Sequence, residues 1–247
     1  MTAPEGILNF DKPTGITSAK ALYKVRAIVR QRKSGHAGTL DPAASGVLVL
    51  CLGRGTKLVE AIMDQPKVYR ATARLDLTSE SFDSDGPTTP VEVPDVPEDD
   101  RVRTALMSFE GTIEQVPPAV SAIKVGGVAA YKRTARGQTV RLDARRARVY
   151  WVCVHRVAWP EIEFGVCCGR GTYIRSIVRD LGEKLGTGGC LTGLVRERVG
   201  PFALHDAWTL ERLRKAGGPD EYVIPLERAK ALLSPDTVSI PERPSPD

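Results

Sequence analysis

Apolar and polar positions along this chain change period several times, and each change predicts an element. Residues 68–76 alternate: Tyr69, Ala71, Ala73 and Leu75 fall on one side, Arg70, Thr72, Arg74 and Asp76 on the other. That is the pattern of a half-buried strand. Residues 47–52 form an unbroken apolar run between Gly46 and Gly53, which predicts a strand covered on both faces. Leu22, Val25 and Val29, with Ala21 and Ile28 beside them, recur at helical spacing. They predict a helix capped by Thr17 or Ser18 and running to about Arg32. A second amphipathic helix is predicted after Thr172, with Ile174, Ile177, Val178, Leu181 and Leu185 on its apolar face and Gly186 as its stop.

The intervening segments complete a mixed order. Residues 6–10 read as a short strand, 11–15 as a turn, and 34–46 as a loop of small residues. A short helix capped near Thr56 is expected. Residues 78–100 are acidic and punctuated by Pro87, Pro90, Pro94 and Pro97, and read as a long connection of the kind that is usually functional or mobile. A helix over 99–110 stopped by Gly111 follows. Next come a strand over 120–125 with a turn at Gly126 and Gly127, and a short helix ending near Gly137. Residues 148–159 and 161–168 predict paired strands turning at Pro160. Residues 191–204 read as strand, and helical patterns start at Leu210 and near 226–233. The tail from Ser234 carries four prolines and is expected to fray. The result is an α/β (α+β) fold with a largely antiparallel sheet and flanking helices.

Charge adds a direction. Lys and Arg total 35 against 30 Asp and Glu, a net charge of +5. That excess is compatible with a polyanionic partner and equally with a solvated basic surface. The distribution is uneven, however. Lys24, Arg26, Arg30, Arg32 and Lys33 form a run without an acid, and Arg133, Arg136, Arg141, Arg145, Arg146 and Arg148 form a second basic run broken only by Asp143. The five cysteines include no C-x-x-C pair, and the three histidines have no zinc spacing. Residues 1–10 lack a basic stretch followed by a long apolar core, and no apolar run approaches a membrane span. A cytosolic protein with buried thiols is expected. The glycine loops at Gly53-Arg54-Gly55 and Gly169-Arg170-Gly171 have the wrong spacing for a phosphate loop or a dinucleotide fingerprint.

The stretch with candidate chemistry is His36-Ala37-Gly38-Thr39-Leu40-Asp41-Pro42-Ala43-Ala44-Ser45-Gly46. It places a carboxylate in a glycine-flanked loop just before a buried strand. Such a carboxylate is a candidate nucleophile or base; it can equally do no more than start the turn at Pro42.

This stretch resembles, nearly residue for residue, the G-H-x-G-T-L-D-x-x-A-S-G signature of the TruB family of pseudouridine synthases. Four further segments resemble that family in the same order. They are residues 11–18 (its K-P-x-G-x-[ST]-S motif), Lys67-Val68-Tyr69 (K-x-Y), residues 117–124 (P-P-x-x-S-A-[LI]-K) and Gly171-Thr172-Tyr173-Ile174-Arg175 (G-T-Y-I-R). Leu194 fits the leucine of its final strand. The resemblance covers about residues 5–204, implying a pseudouridine synthase fold with an RNA-binding cleft in that span and a short helical, proline-rich extension over 205–247. Only 43 residues follow Leu204, too few for the PUA domain that many members carry. Glu80 stands where the family usually has Asp.

The resemblance implies isomerisation of the uridine at position 55 in the T-loop of tRNA, without cofactor or metal. It implies a cytoplasmic, monomeric enzyme with tRNA as partner and neither a membrane nor a protein partner. Asp41 would be the nucleophile, Arg175 its ionic partner, and Tyr69 the residue against the flipped uracil. Tyr173 and Leu194 would wall the pocket. His36 would stack where the extruded base had been, Lys12 and Lys67 would touch phosphate, and Asp83 would belong to the substrate loop. Two other classes compete: a non-catalytic tRNA-folding protein on the same fold, and a carboxylate-dependent hydrolase. The set Asp41, Tyr69 and Arg175 argues against the first. The lack of a second positioned acid or a metal motif argues against the other.

Overall fold

The computed structural model describes residues 3–121, 123–125, 127–134, 136, 138, 140, 142–234 and 239–245. The chain runs through β1 (Gly6–Lys12), α1 (Ser18–Val29), β2 (Ser34–His36), β3 (Ser45–Leu52), a 3-10 turn (Gly53–Leu58), α2 (Val59–Met63) and β4 (Lys67–Arg74). It continues through β5 (Leu77–Thr78), β6 (Thr89–Pro90), α3 (Asp99–Met107), β7 (Gly111–Gln115), β8 (Lys124–Val125), β9 (Val128–Ala129), α4 (Ala130–Thr134), β10 (Arg145–Ala158) and β11 (Glu161–Cys168). Last come α5 (Ile174–Leu185), β12 (Cys190–Val199), β13 (Phe202–Ala203), α6 (Leu210–Lys215), α7 (Pro219–Tyr222) and α8 (Leu226–Leu232). Two compact units result: Met1–Arg70 with Leu194–Glu242, and Ala71–Gly193 with Arg243–Asp247. The strands β4 and β12 carry the chain from one unit to the other.

In the first unit β1 lies antiparallel to β3, from Gly6 opposite Leu52 to Lys12 opposite Gly46. The strand β12 joins β3 in parallel, with Val195 opposite Ser45 and Arg196 opposite Gly46. The unbroken apolar run of β3 is explained by cover on both faces. Leu48, Leu50 and Leu52 pack with Ala21, Val25 and Val29 of α1 and with Leu213 and Tyr222. Val47, Val49 and Cys51 pack with Ile62, Val199, Phe202 and Ala229. Helices α6 to α8 therefore close both faces of this unit rather than trailing from it. The cap of α1 is Thr17, whose hydroxyl accepts from the Lys20 amide at 3.1 Å. The helix ends at Val29, short of the expected Arg32, because Arg30 turns into the left-handed region (φ 53°) and sends the chain back to β2. Thr56 does not cap a helix: its hydroxyl bonds the Gly53 carbonyl within the 3-10 turn.

In the second unit β10 runs antiparallel to both β11 and β7. The pairing of β10 with β11 turns at Trp159 and Pro160, as expected. Helix α5 buries Ile174, Ile177, Val178, Leu181 and Leu185, and Gly186 (φ 73°) caps it. Helix α3 stops at Met107 with Ser108 as cap, and Gly111 opens strand β7 instead of ending the helix. Residues 78–100 are tied by a short antiparallel pair, Leu77 to Pro90 and Thr78 to Thr89. Within the tail, Arg243 pairs with Glu110 at 2.6 Å and the Cys153 thiol donates to the Pro244 carbonyl, so this part of it does not fray. The expected turn glycine Gly126, the helix end at Gly137 and Ala122 of the fourth motif lie outside the described residues. All five cysteines are buried. Among the described residues no helix is long and apolar enough to cross a membrane.

Candidate active site

Asp41 is half-buried in the loop between β2 and β3, and the residues on each side of it are held one by one. The Ser18 hydroxyl accepts from the Leu40 amide at 2.8 Å and donates to the Leu40 carbonyl at 2.9 Å. The Pro42 carbonyl accepts from the Gly15 amide at 2.8 Å and from the Lys12 ammonium at 3.3 Å. Upstream, the Ala37 amide bonds the Val49 carbonyl at 2.9 Å. Satisfied backbone groups of this kind fix where a loop side chain starts.

Arg196 completes the clamp. It is 1 % exposed, and its guanidinium donates to the carbonyls of Val47 at 2.7 Å, Thr39 at 3.3 Å and Gly38 at 3.1 Å. Gly46 makes this approach feasible. Its φ is +99°, and a Cβ there would lie 2.3 Å from the Arg196 carbonyl oxygen, so only glycine fits. Nothing in the spacing of the signature singles out Arg196; it is one of two arginines, with Arg198, in a strand-like run. Arg196 lies opposite Gly46 in the parallel pairing of β12 with β3, within reach of the Asp41 loop, whereas Arg198 falls beyond that pairing.

His36 is half-buried on β2. Burial first, and then the Arg196 cation, push its imidazole below the ordinary value, which favours the neutral ring. Tyr69 on β4 and Leu194 on β12 are both half-buried. Tyr69 shares its face with fully buried Ala71, Ala73 and Leu75, as the alternation predicts.

The two lysines expected to meet phosphate are enclosed instead. Lys12 is 0 % exposed, and its ammonium bonds the carbonyls of Pro13 and Ile16, each at 2.8 Å, as well as Pro42. Lys67 is buried, with its ammonium on the carbonyls of Met63 and Gln65. A buried ammonium surrounded by acceptors holds backbone together. Both lysines thus serve the scaffold, one of them the Asp41 loop itself.

In the second unit Arg175 sits in the first turn of α5 and is 4 % exposed. It donates to the carbonyls of Ser81 at 3.0 Å and Val120 at 2.9 Å, and lies 3.1 Å from the Asp83 carboxylate. Asp83 is itself fixed, accepting from the Ser81 hydroxyl at 2.6 Å and the Asp85 amide at 3.2 Å. The side chain of Gln115 on β7 grips Tyr173 from both sides, donating to its carbonyl at 3.2 Å and accepting from its amide at 3.0 Å. Ser176 anchors the same turn on the Val116 carbonyl. Arg175 and Asp83 are therefore brought together, and Gln115 is a positioning residue that the sequence did not mark.

The chain matches the model of the TruB family pseudouridylate synthase N-terminal domain over residues 26–174, and that of the tRNA pseudouridylate synthase B C-terminal domain over residues 175–230. It is 44% identical over 225 residues to tRNA pseudouridine synthase B of Syntrophus aciditrophicus, covering 90% of this chain and 72% of that one. To the Burkholderia mallei protein of that name it is 40% identical over 233 residues, covering 94% and 76%. Among solved structures it resembles a chain of a Cbf5-Nop10-Gar1 complex, with a TM-score of 0.66 and 32% identity over 83% of this chain. It also resembles a chain of an H/ACA RNP bound to a substrate RNA containing 2'-deoxyuridine, with a TM-score of 0.63 and 30% identity over 83% of this chain. The chain spans about half the length of those two chains, 52% and 51%. Both parts of the sequence and the curated relatives agree: the chain belongs to the TruB family of tRNA pseudouridine synthases and is an isomerase.

Proposed function

We propose that this isomerase converts the uridine at position 55 in the T-loop of tRNA to pseudouridine, with Asp41 as nucleophile acting on a flipped-out nucleotide. The observation that carries the reading is the clamped loop. Ser18, Lys12 and Arg196 fix the backbone on both sides of one half-buried carboxylate. A nucleophile so held needs little reorganisation as the reaction starts. The solved neighbour that is bound to a substrate RNA supports RNA as the substrate class.

The chemistry conserves atoms. The bond from ribose C1′ to uracil N1 breaks, the base turns, and C1′ bonds to C5; the C5 proton leaves and N1 takes one up. Asp41 assists departure by attack at the ribose or at the base. In this reading Arg175 pairs with Asp41 and keeps it ionised, and Asp83 orients the guanidinium. Tyr69 lies against the uracil and takes part in proton transfer at C5. Tyr173 and Leu194 wall the pocket, and a water-poor wall strengthens the interactions inside it. A neutral His36 fills the place that the extruded base vacates.

The test is a T-arm hairpin RNA tritiated at uracil C5. Tritium released stoichiometrically with pseudouridine at the target site supports the assignment. Bound RNA with no tritium released leaves only a folding or binding role and overturns it.

A further inference from the structure

The exposed face of α1 carries an arrangement that the reaction at Asp41 does not use. One side of the helix, Ala21, Val25 and Val29, is buried in the core. On the other side Lys20, Tyr23, Lys24 and Ala27 are exposed, and Arg30, Arg32 and Lys33 continue the exposed run beyond the helix end. Tyr23 is 72% exposed, unusual for a large aromatic residue with no core to pack against. Lys20, Tyr23 or Lys24, Ala27 and Arg30 recur at helical spacing, so they form one stripe. From Lys20 to Arg30 it extends about 15 Å.

The charge of that stripe is not neutralised locally. No Asp or Glu occurs between Asp11 and Asp41. Among the described residues, the side chains of Lys20, Lys24, Arg30, Arg32 and Lys33 have no acidic partner. Arg26 is the exception in use: it bonds Ser34 at 2.7 Å and the Arg32 carbonyl, which draws the basic turn back along the helix. The first residue of α1, Ser18, is the one bonded to Leu40 beside Asp41. The stripe therefore starts within a turn of the reactive loop and leads away from it.

We infer that the α1 stripe is an RNA-binding rail: Lys20, Lys24 and Arg30 engage successive phosphates of the substrate strand, and Tyr23 stacks on an unpaired base. Exposed aromatic rings among cations suit this partner, because every base has a face to stack and every linkage a charge. Ala27 presents only a methyl between Tyr23 and Arg30, which leaves room for a base. The inference rests on the RNA substrate proposed above and adds a surface to it.

The experiment uses the full chain and a full-length tRNA transcript. Dissociation constants are measured by anisotropy over a range of salt, and tritium release is followed separately. The variants are the triple substitution Lys20→Glu, Lys24→Glu, Arg30→Glu, together with Tyr23→Ala and Tyr23→Phe, all checked for folding by circular dichroism. The triple variant is expected to bind at least tenfold more weakly. Its salt slope should flatten by about 2 to 3, one phosphate per cation. Tyr23→Ala should bind at least fivefold more weakly, Tyr23→Phe like wild type, and KM should rise in both weakened variants while kcat at saturation holds. An unchanged dissociation constant in either the triple variant or Tyr23→Ala overturns the rail. Because binding is measured apart from turnover, that result is distinct from failure of the wild type to release tritium, which would overturn the assigned reaction instead.

Discussion

The Ser18 hydroxyl bridges both backbone groups of Leu40, accepting from its amide at 2.8 Å and donating to its carbonyl at 2.9 Å. One side chain thereby joins the first turn of α1 to the residue preceding Asp41. Both Leu40 groups are buried, so Ser18→Ala leaves an amide and a carbonyl without this partner. The expected cost is about 1–3 kcal/mol, read as a lower urea midpoint. The catalytic rate should fall further than the small loss of folded protein explains.

Arg196 has a larger task, since three carbonyls on two segments share its guanidinium. Arg196→Met is expected to destabilise the protein by more than about 3 kcal/mol, measured by denaturant unfolding. Arg196→Lys should fall between it and wild type, because an ammonium cannot reproduce the planar fork.

His36 should titrate below its ordinary value of 6.5 in the folded protein, because burial and Arg196 both disfavour the imidazolium. An unfolded chain takes up that proton first as pH falls. The contribution of His36 to stability is thus full above the ordinary value and declines as pH drops through it toward the folded value. NMR titration of the ring gives the midpoint directly. His36→Gln should flatten the pH dependence of the urea midpoint in that window.

Arg175 and Asp83 form a buried pair, with side chains 5% and 12% exposed. Asp83→Ala takes the Asp83 carboxylate away from a buried guanidinium, an expected loss of up to about 3–5 kcal/mol. Asp83→Asn should lose less, since the amide oxygen still accepts a bond. Thermal unfolding of the two variants distinguishes them.

Much of this architecture was legible because burial is periodic. The apolar run of β3 and the i, i+3, i+4 pattern of α5 each follow from two-sided or one-sided cover. Strand β7 was not legible: its burial alternates, but the inward positions are Gly111, Ile113 and Gln115, so a single large apolar residue marks that face. It exists because the long strand β10 offers it an edge to pair with. The aspartate loop was marked by its signature, but the residues that hold it were not. Lys12 and Lys67 look like solvent-facing cations in sequence, and only long-range placement supplies the carbonyls around their ammonium groups. The Arg196 contacts cross about 150 positions of chain, and no local pattern encodes such a pairing; its separations from Val47, Thr39 and Gly38 are 149, 157 and 158.

The most direct measurement compares wild type with Asp41→Asn on the C5-tritiated T-arm hairpin, with RNA binding measured in parallel. The account predicts tritium release by wild type and none by the variant, at comparable affinity for the hairpin. Equal release by both would remove Asp41 from the chemistry and contradict the account.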